Sequence, residues 1–251
     1  MLNNVMVGRY YPITSKIHQM NPLSKIICTV IFITLMFLTN DLFFVLLITG
    51  FVLLILLMSN VPIKIYLRTI KGLKILIIFI IIINLILRVE WQIITIMVAR
   101  LVLVVLYTSV LTLTTPPTEL TYGLEKFFTP LRLIGIPVNK MALSLSLALR
   151  FIPTIIDQAN KIMKSQTCRG INYNDSKVKD KLIGIKSLLL PMLIYSLRRA
   201  DELAVSMELR LYNINKKRTN FRMNKWSFFD TYMFSVHTII LVLLIVRGVL
   251  L

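Results

Sequence analysis

The 251-residue sequence is 57% hydrophobic, whereas ordinary soluble domains are about 45–50% apolar. Its net charge of +18 at pH 7 suits a nucleic-acid-binding protein only if the basic residues lie on a soluble scaffold. Because they alternate here with long apolar runs, the composition excludes an ordinary soluble domain and indicates an integral membrane protein.

Five apolar runs are predicted to cross the membrane. Residues 22–58 are almost wholly apolar but are interrupted by Asn40 and Asp41, a polar turn signal, so we expect two closely connected spans there. The other three spans are predicted at residues 73–87, 91–114 and 228–251. Several runs are shorter than the ~20 residues that a bilayer crossing needs. We therefore expect them to recruit flanking residues or to lie in thinner lipid.

Basic residues are distributed unequally between the two faces that these spans define. If the N-terminus is cytoplasmic, the cytoplasmic face receives the basic residues before the first span, those of 64–74 and all of those in 126–225. The opposite face receives only Arg88 and Arg247. This asymmetry follows the positive-inside rule, so we expect a cytoplasmic N-terminus and an extracellular C-terminus. Arg100 lies within the fourth span, where both a functional role and a structural role facing the bundle are open.

No residue pattern in the sequence points to catalysis. Cys28 and Cys168 form no CxxC or metal-binding motif, and we expect no disulfide between them. His18 and His237 are too far apart in sequence to suggest a site. The sequence contains no HExxH motif, phosphate-binding glycine loop or GxSxG elbow. We therefore predict no catalytic residue, no metal site and no cofactor.

Residues 115–227 are predicted to form a helical cytoplasmic domain that is unusually apolar. Thr115 is expected to cap a short helix with Pro116 at its first position, and Pro137 to begin a long helix. Apolar residues of the long helix recur at spacings of three and four, which is typical of one helical stripe. This stripe comprises Leu145, Leu149, Ile152, Ile156, Ala159 and Met163.

A second long helix, predicted from about Val178, has the same organisation. Its apolar stripe comprises Leu189, Leu193, Leu197, Ala200, Ala204 and Met207. Each long helix has an interior proline, Pro153 or Pro191, which predicts a kink. Each also ends in an arginine, Arg169 in "SQTCRGINYN" and Arg210 in "MELRLYNIN". One such arginine usually complements the helix dipole, but two on paired helices favour a two-pronged binding device.

Several stretches resemble the transmembrane T component of energy-coupling factor transporters, the family that includes the CbiQ-type cobalt permeases. The most specific are "ALRFIP", "RRADELA" and the two arginine motifs. The N-terminal "HQMNPLSKI" is similar to the family's Leu-Asp-Pro-Arg-x-Lys motif, from which it departs at Asn21 and Leu23. The resemblance reaches Asn213, and the last span fits by topology alone.

The resemblance implies an all-α, multi-pass protein of a prokaryotic cell membrane that is not itself an enzyme. Such a scaffold couples two cytoplasmic ATPase subunits, of the EcfA and EcfA' type, to a substrate-binding membrane protein, the S component, for vitamin or metal-ion uptake. In the family, an arginine motif at the end of each of two coupling helices seats in a groove on an ATPase subunit. The corresponding residues are Cys168, Arg169 and Gly170 in the first motif and Leu209, Arg210 and Leu211 in the second.

The residues that correspond to the family's binding sites differ from the family in side-chain size, and they leave further apolar surface on the helices. Leu209 and Leu211 are larger than the small residues that flank the family's arginine, so we expect Arg210 to seat less deeply than Arg169. The resemblance also implies a docking surface for the S component, although the same positions suit packing of the two helices on each other. These positions are Leu145, Leu149, Ile152, Ile156, Leu193, Leu197, Ala200 and Ala204.

The expected organisation is therefore four spans in residues 1–114, a cytoplasmic coupling domain in 115–227 and a last span in 228–251. Two other classes are open. An integral membrane enzyme, such as a lipid or prenyl transferase, needs clustered Asp, Glu or His, whereas the 11 acidic residues here are scattered. A self-contained secondary transporter needs polar or discontinuous spans and often has inverted repeats, whereas these spans are almost wholly aliphatic.

Overall fold

The computed structural model describes residues 10–39, 41–135, 137–171, 178–213 and 226–250. All regular elements in these ranges are helical, as the sequence predicts. The α-helices are α1 (Pro22–Leu38), α2 (Leu42–Met58), α3 (Ile63–Gly72), α4 (Lys74–Ile86), α5 (Trp91–Thr114), α6 (Pro117–Phe127), α7 (Val138–Cys168), α8 (Val178–Leu209) and α9 (Phe228–Leu250), with a 3-10 helix at Thr129–Ile134.

The chain divides into two compact units. The bundle unit consists of Gly8–Val138 with Arg222–Leu251, and the two-helix unit contains Asn139–Phe221 with Met1–Val7. In the bundle unit, α1 packs against α5, α6 and α9, while α5 also packs against α2, α3 and α4. The described part of the two-helix unit consists of α7 and α8.

Several described helices are long and apolar enough to cross a membrane. They are Trp91–Thr114, Lys140–Cys168 and Phe228–Arg247, and α3 with α4 would add a fourth if this pair, bent by 49°, is one span. Helices α1 and α2 have 17 residues each, about 26 Å at 1.5 Å per residue, slightly less than a ~30 Å hydrocarbon core. The predicted third span is the 13-residue α4, shorter than expected because the chain bends at its start.

The start of α1 is fixed by a buried carboxylate and a buried ammonium group. Asp230 is fully buried near the start of α9 and accepts hydrogen bonds from the backbone N–H groups of Asn21, at 2.9 Å, and Ser227, at 2.7 Å. Lys25 is also buried, and its Nζ donates to the carbonyl oxygen of Thr114, the last residue of α5, at 3.1 Å. Helix α9 therefore begins, and α5 ends, beside the start of α1.

Contacts at the other end of α1 agree with these directions. The Arg100 guanidinium, on α5, donates to the carbonyl oxygen of Thr39, directly after α1. Arg247, near the end of α9, forms a 2.9 Å ion pair with Asp41. Helix α9 thus runs parallel to α1, and α5 runs antiparallel to it. The Arg100 contact supports the structural interpretation of this residue, because it satisfies a carbonyl group at a helix end.

The two histidines have separate partners. In His18, outside the helices, Nε2 lies 3.1 Å from the carbonyl oxygen of Tyr11, and burial lowers the pKa of the imidazole. His237 Nδ1 lies 2.7 Å from the carbonyl oxygen of Met233, and its Nε2 lies 2.7 Å from the Tyr107 hydroxyl. A neutral imidazole that donates from Nδ1 and accepts at Nε2 satisfies both of the latter contacts. His18 therefore closes a local turn, whereas His237 links α9 to α5.

The segment before α7 differs from the prediction first in the residue that caps its short helix. Thr115 does not cap α6, which begins at Pro117 with Pro116 as its N-cap residue. Because α5 extends to Thr114, Thr115 lies at the C-cap of α5, where its Oγ1 accepts from Lys25 Nζ at 3.1 Å.

The second difference is that α6 belongs to the bundle unit, whereas the predicted domain of residues 115–227 grouped it with α7 and α8. Its close approach to α1 requires a glycine, since a Cβ at Gly123 would lie 2.8 Å from Ile26 Cδ1 and 3.0 Å from the Pro22 backbone. Residues 115–227 are thus divided between the two units at Val138.

Candidate docking site at two helix ends

Helix α7 ends in a left-handed turn that exposes an arginine. We call Cys168, Arg169 and Gly170 tip 1. The N–H of Gly170 donates to the carbonyl oxygen of Thr167 at 3.0 Å, and the N–H of Ile171 to that of Gln166 at 3.1 Å. This is the Schellman arrangement. Gly170 has φ +88° with open space around a hypothetical Cβ, so backbone conformation rather than crowding favours glycine.

Helix α8 ends in the same turn without a glycine. We call Leu209, Arg210 and Leu211 tip 2. The N–H of Leu211 donates to the carbonyl oxygen of Glu208 at 2.8 Å, and the N–H of Tyr212 donates to that of Met207 at 3.0 Å. Leu211 has φ +55° and so occupies the position that Gly170 occupies in tip 1. A leucine in this conformation is a genuine outlier.

The two arginines occupy equivalent positions. Arg169 and Arg210 each directly precede the left-handed residue, and both are exposed to solvent. A guanidinium group presents a planar fork of donors that stays charged and matches carboxylates in a bidentate way. The predicted motif residues thus form two helix ends with an exposed arginine at the same position, and the first motif's Cys168 is also exposed.

Replacement of Leu211 by glycine is expected to stabilise the end of α8. The left-handed conformation costs a leucine about 1–2 kcal/mol, and replacement by glycine removes this cost. Glycine has a more flexible unfolded chain, which offsets about 0.5–1 kcal/mol of the stabilisation. We therefore expect a net gain of roughly 0.5–1 kcal/mol for Leu211→Gly. Slower hydrogen exchange of the Tyr212 amide, whose N–H donates to Met207, would report this gain.

The matched control is Leu209→Gly, because Leu209 is the last residue of α8 and is similarly exposed. Glycine in a helix costs up to about 1 kcal/mol, so this change should speed exchange at the same amide. Equal effects of the two substitutions would contradict the assigned geometry.

An apolar cavity of about 240 Å³ lies between α7 and α8. Phe151 and Ile155 line it from α7, and Ala200, Leu203 and Ala204 line it from α8. Small alanines opposite an aromatic ring leave this space where the two helices meet. Two of the predicted docking residues, Ala200 and Ala204, are thus brought to the cavity, whereas Phe151 was noted only as part of the "ALRFIP" motif and Ile155 was not singled out from the sequence.

The other predicted docking residues lie outside the cavity lining. On α8, Leu193 and Leu197 are 59% and 60% exposed. On α7, Leu145 is 43% exposed, while Leu149, Ile152 and Ile156 are half-buried. The long helices therefore retain apolar surface that their own contact does not cover, and the docking role of these residues stays a prediction.

Known proteins align with nearly the whole chain. A transmembrane protein of Listeria innocua, named "Energy-coupling factor transporter transmembrane protein EcfT", is 40% identical over 251 residues, covering 92% of this chain and 93% of that protein. Proteins with the same name are 35% identical in Brevibacillus brevis, covering 98% of this chain and 97% of the relative, and 32% identical in Bacillus subtilis, covering 92% and 93%.

A protein-family model supports the same relationship. The model of CbiQ, described as a cobalt transport protein, matches residues 14–221. This range includes tip 1, tip 2 and the cavity between α7 and α8. The extent of the match and the identity to the relatives agree with the resemblance inferred from the arginine motifs. The chain belongs to the CbiQ family of membrane transport proteins.

Proposed function

We propose that this chain is the transmembrane coupling scaffold of an ATP-driven energy-coupling factor importer. In this role it connects two cytoplasmic ATPase subunits, of the EcfA and EcfA' type, to a substrate-binding S component in the same membrane. The transported micronutrient, a vitamin or a metal ion, is recognised by the S component. The scaffold itself carries out no chemical step.

The matched geometry of tip 1 and tip 2 is the observation that carries this proposal. Two helices of 31 and 32 residues end in the same hydrogen-bonded turn with an exposed arginine at the same position. Helix capping alone does not require an arginine at both positions, since the turns are closed by backbone hydrogen bonds. Two helix ends that present an arginine at the same position suit a partner with two related binding grooves, such as a pair of ATPase subunits.

The long helices also provide a mechanical connection between these ends and the membrane-embedded partner. Pro153 and Pro191 lie inside helices that stay continuous. From Arg169 to Ile155 the distance along α7 is about 21 Å, and from Arg210 to Ala204 along α8 it is about 9 Å, at 1.5 Å per residue. A displacement of either tip is therefore transmitted along a rigid element to the cavity between α7 and α8.

Exposed apolar residues of the two helices are suited to contact with the S component. Leu193 and Leu197 on α8 are more than half exposed, and Leu145 on α7 is 43% exposed. Contacts between such residues and an apolar partner exclude lipid or water without a need for charge pairing. This surface leaves substrate selection to the partner.

The proposal includes a cytoplasmic N-terminus and five spans, which the directions of α1, α5 and α9 support. In intact cells, we expect a membrane-impermeant maleimide to label Glu90→Cys but not Lys16→Cys, in a background with Cys28 and Cys168 replaced by alanine. Both positions are exposed in the structure. Permeabilised cells provide the control, in which both cysteines should react. Equal labelling from outside would contradict the five-span topology.

The proposed division of labour is tested by ATP hydrolysis. We expect the purified chain alone to release no phosphate from ATP and to show turnover only in complex with its ATPase subunits. Measurements of both samples at equal protein concentration, with the ATPase subunits alone as a reference, separate the two contributions. Robust turnover by the isolated, verified-pure chain would reject the scaffold proposal and favour the enzyme class.

A further inference from the structure

Tip 2 differs from tip 1 in its two large, exposed apolar side chains. Leu209 is 80% and Leu211 is 91% exposed, on either side of Arg210. At the corresponding positions tip 1 has Cys168 and Gly170. Leu211 retains a branched side chain in a backbone conformation that glycine adopts without strain. Residues held in such sparsely populated backbone conformations cluster at active sites and ligand clamps.

The charge near the two tips also differs. Over residues 160–170, which end at Gly170, the cations Lys161, Lys164 and Arg169 occur without an acidic residue, for a net charge of +3. Arg198 and Arg199 precede the matched residues 201–211, and Arg199 pairs with Glu202 at 2.9 Å, so this end of α8 is close to neutral although three acidic residues accompany Arg210. These three are Asp201, Glu202 and Glu208. One groove cannot complement both surfaces equally well.

From these two differences we infer that Leu209 and Leu211 select the ATPase subunit that binds tip 2. Tip 2 enters a groove with apolar walls and an oxygen acceptor for the Arg210 guanidinium. Tip 1 enters a narrower, acidic groove on the other subunit, where Arg169 provides the principal contact. This inference rests on the proposed function, and it adds which side chains make the two tips non-interchangeable.

The two contacts should respond differently to salt. Attraction between tip 1 and an acidic groove is screened as ionic strength rises, because the Debye length falls from about 10 Å at 0.1 M to about 3 Å at 1 M. Burial of Leu209 and Leu211 depends on apolar area, which salt does not screen. Added salt should therefore weaken the subunit bound through tip 1 more than the subunit bound through tip 2.

The experiment compares tip variants in the assembled complex. The tagged chain is purified with the two ATPase subunits of its source cell, and the apparent Kd of each subunit is measured by dilution. Arg169→Ala and Arg210→Ala identify which subunit depends on which tip. The test variants are Leu209→Ala, Leu211→Gly and Leu211→Asn, with Leu211→Met as a conservative replacement and Cys168→Ala as the matched control at tip 1.

We expect each test variant to weaken binding of the tip 2 subunit about tenfold or more, which corresponds to about 1.4 kcal/mol or more. Binding of the tip 1 subunit should stay unchanged. Leu211→Met should bind within about threefold of the unaltered chain, and Cys168→Ala should affect neither subunit. Glycine and asparagine both tolerate the left-handed conformation, so weaker binding of these variants cannot be attributed to a damaged helix end.

The possible failures are distinguishable. If the unaltered chain binds no ATPase subunit, the proposed function is wrong and this inference with it. If it binds both subunits and the three leucine variants bind them equally well, the proposed function stands and the inference is overturned. Equal loss of both subunits in the leucine variants would also overturn it, because selection requires an effect at one tip.

Discussion

Replacement of both Arg169 and Arg210 by alanine is expected to abolish ATPase binding and uptake while the chain still inserts into the membrane. If each guanidinium is anchored in a partner groove, loss of its charged hydrogen bonds costs about 1.5–3 kcal/mol per site. In the double variant each subunit then loses about 1.5–3 kcal/mol of its contact with this chain, or roughly 10- to 150-fold in affinity. Helix-dipole effects alone would cost only about 0.3–1 kcal/mol at each position.

The single variants separate the docking role from a capping role. Arg169→Ala should impair binding and uptake more than Arg210→Ala, because the small neighbours in tip 1 leave the arginine as the main contact. Lysine at either position should restore little, since it lacks the planar fork of donors, although it would serve a helix dipole equally well. The measurements are recovery of the ATPase subunits and substrate uptake for each variant. Normal assembly and uptake in the double alanine variant would leave both arginines as ordinary helix-end residues.

Replacement of Asp230 by alanine is expected to be strongly destabilising. The buried carboxylate accepts from the backbone N–H groups of buried Asn21 and exposed Ser227, and its loss removes the acceptor of both groups. At about 1–3 kcal/mol for the buried Asn21 N–H and about 0.5–1.5 kcal/mol for the bond to exposed Ser227, we expect a cost of about 2–4 kcal/mol. Asp230→Asn keeps one acceptor oxygen and should be intermediate. Thermal unfolding of the purified protein in detergent measures these differences.

Asp41→Ala is the matched control for this prediction. Its carboxylate pairs with Arg247 at the other end of the bundle, with side-chain exposures of 52% and 43%. Exposed ion pairs contribute about 0–1 kcal/mol, so this variant should unfold close to the unaltered protein. Equal destabilisation by Asp41→Ala and Asp230→Ala would contradict the assigned role of the buried carboxylate at the start of α1.

The sequence predicted the long helices and their arginine ends well because these features are local. Periodic apolar residues and the Arg169-Gly170 pair indicate where α7 ends, and the structure has the turn at that point. The equivalent turn in tip 2 was not predicted from local preference. Leucine disfavours the left-handed conformation, so nothing in the residue type of Leu211 signals that it adopts the conformation of Gly170.

Contacts between residues far apart in the chain could not be predicted from local sequence patterns. Asp230 and Asn21 are 209 residues apart, and Lys25 counts in the sequence only as one more basic residue. The cavity face of α7 was missed for a different reason. One stripe of α7 contains Ile152 and Ile156, and a neighbouring stripe contains Phe151 and Ile155. Because both stripes are largely apolar, spacing alone does not determine which of them faces α8.

The scaffold proposal is tested most directly by isolation of the chain from its native membrane with identification of every protein bound to it. The proposal predicts two ATP-hydrolysing subunits and at least one substrate-binding membrane protein, with both ATPase subunits lost from the Arg169→Ala, Arg210→Ala double variant. A chain that purifies without ATPase subunits and still supports substrate uptake after reconstitution into lipid vesicles would contradict it.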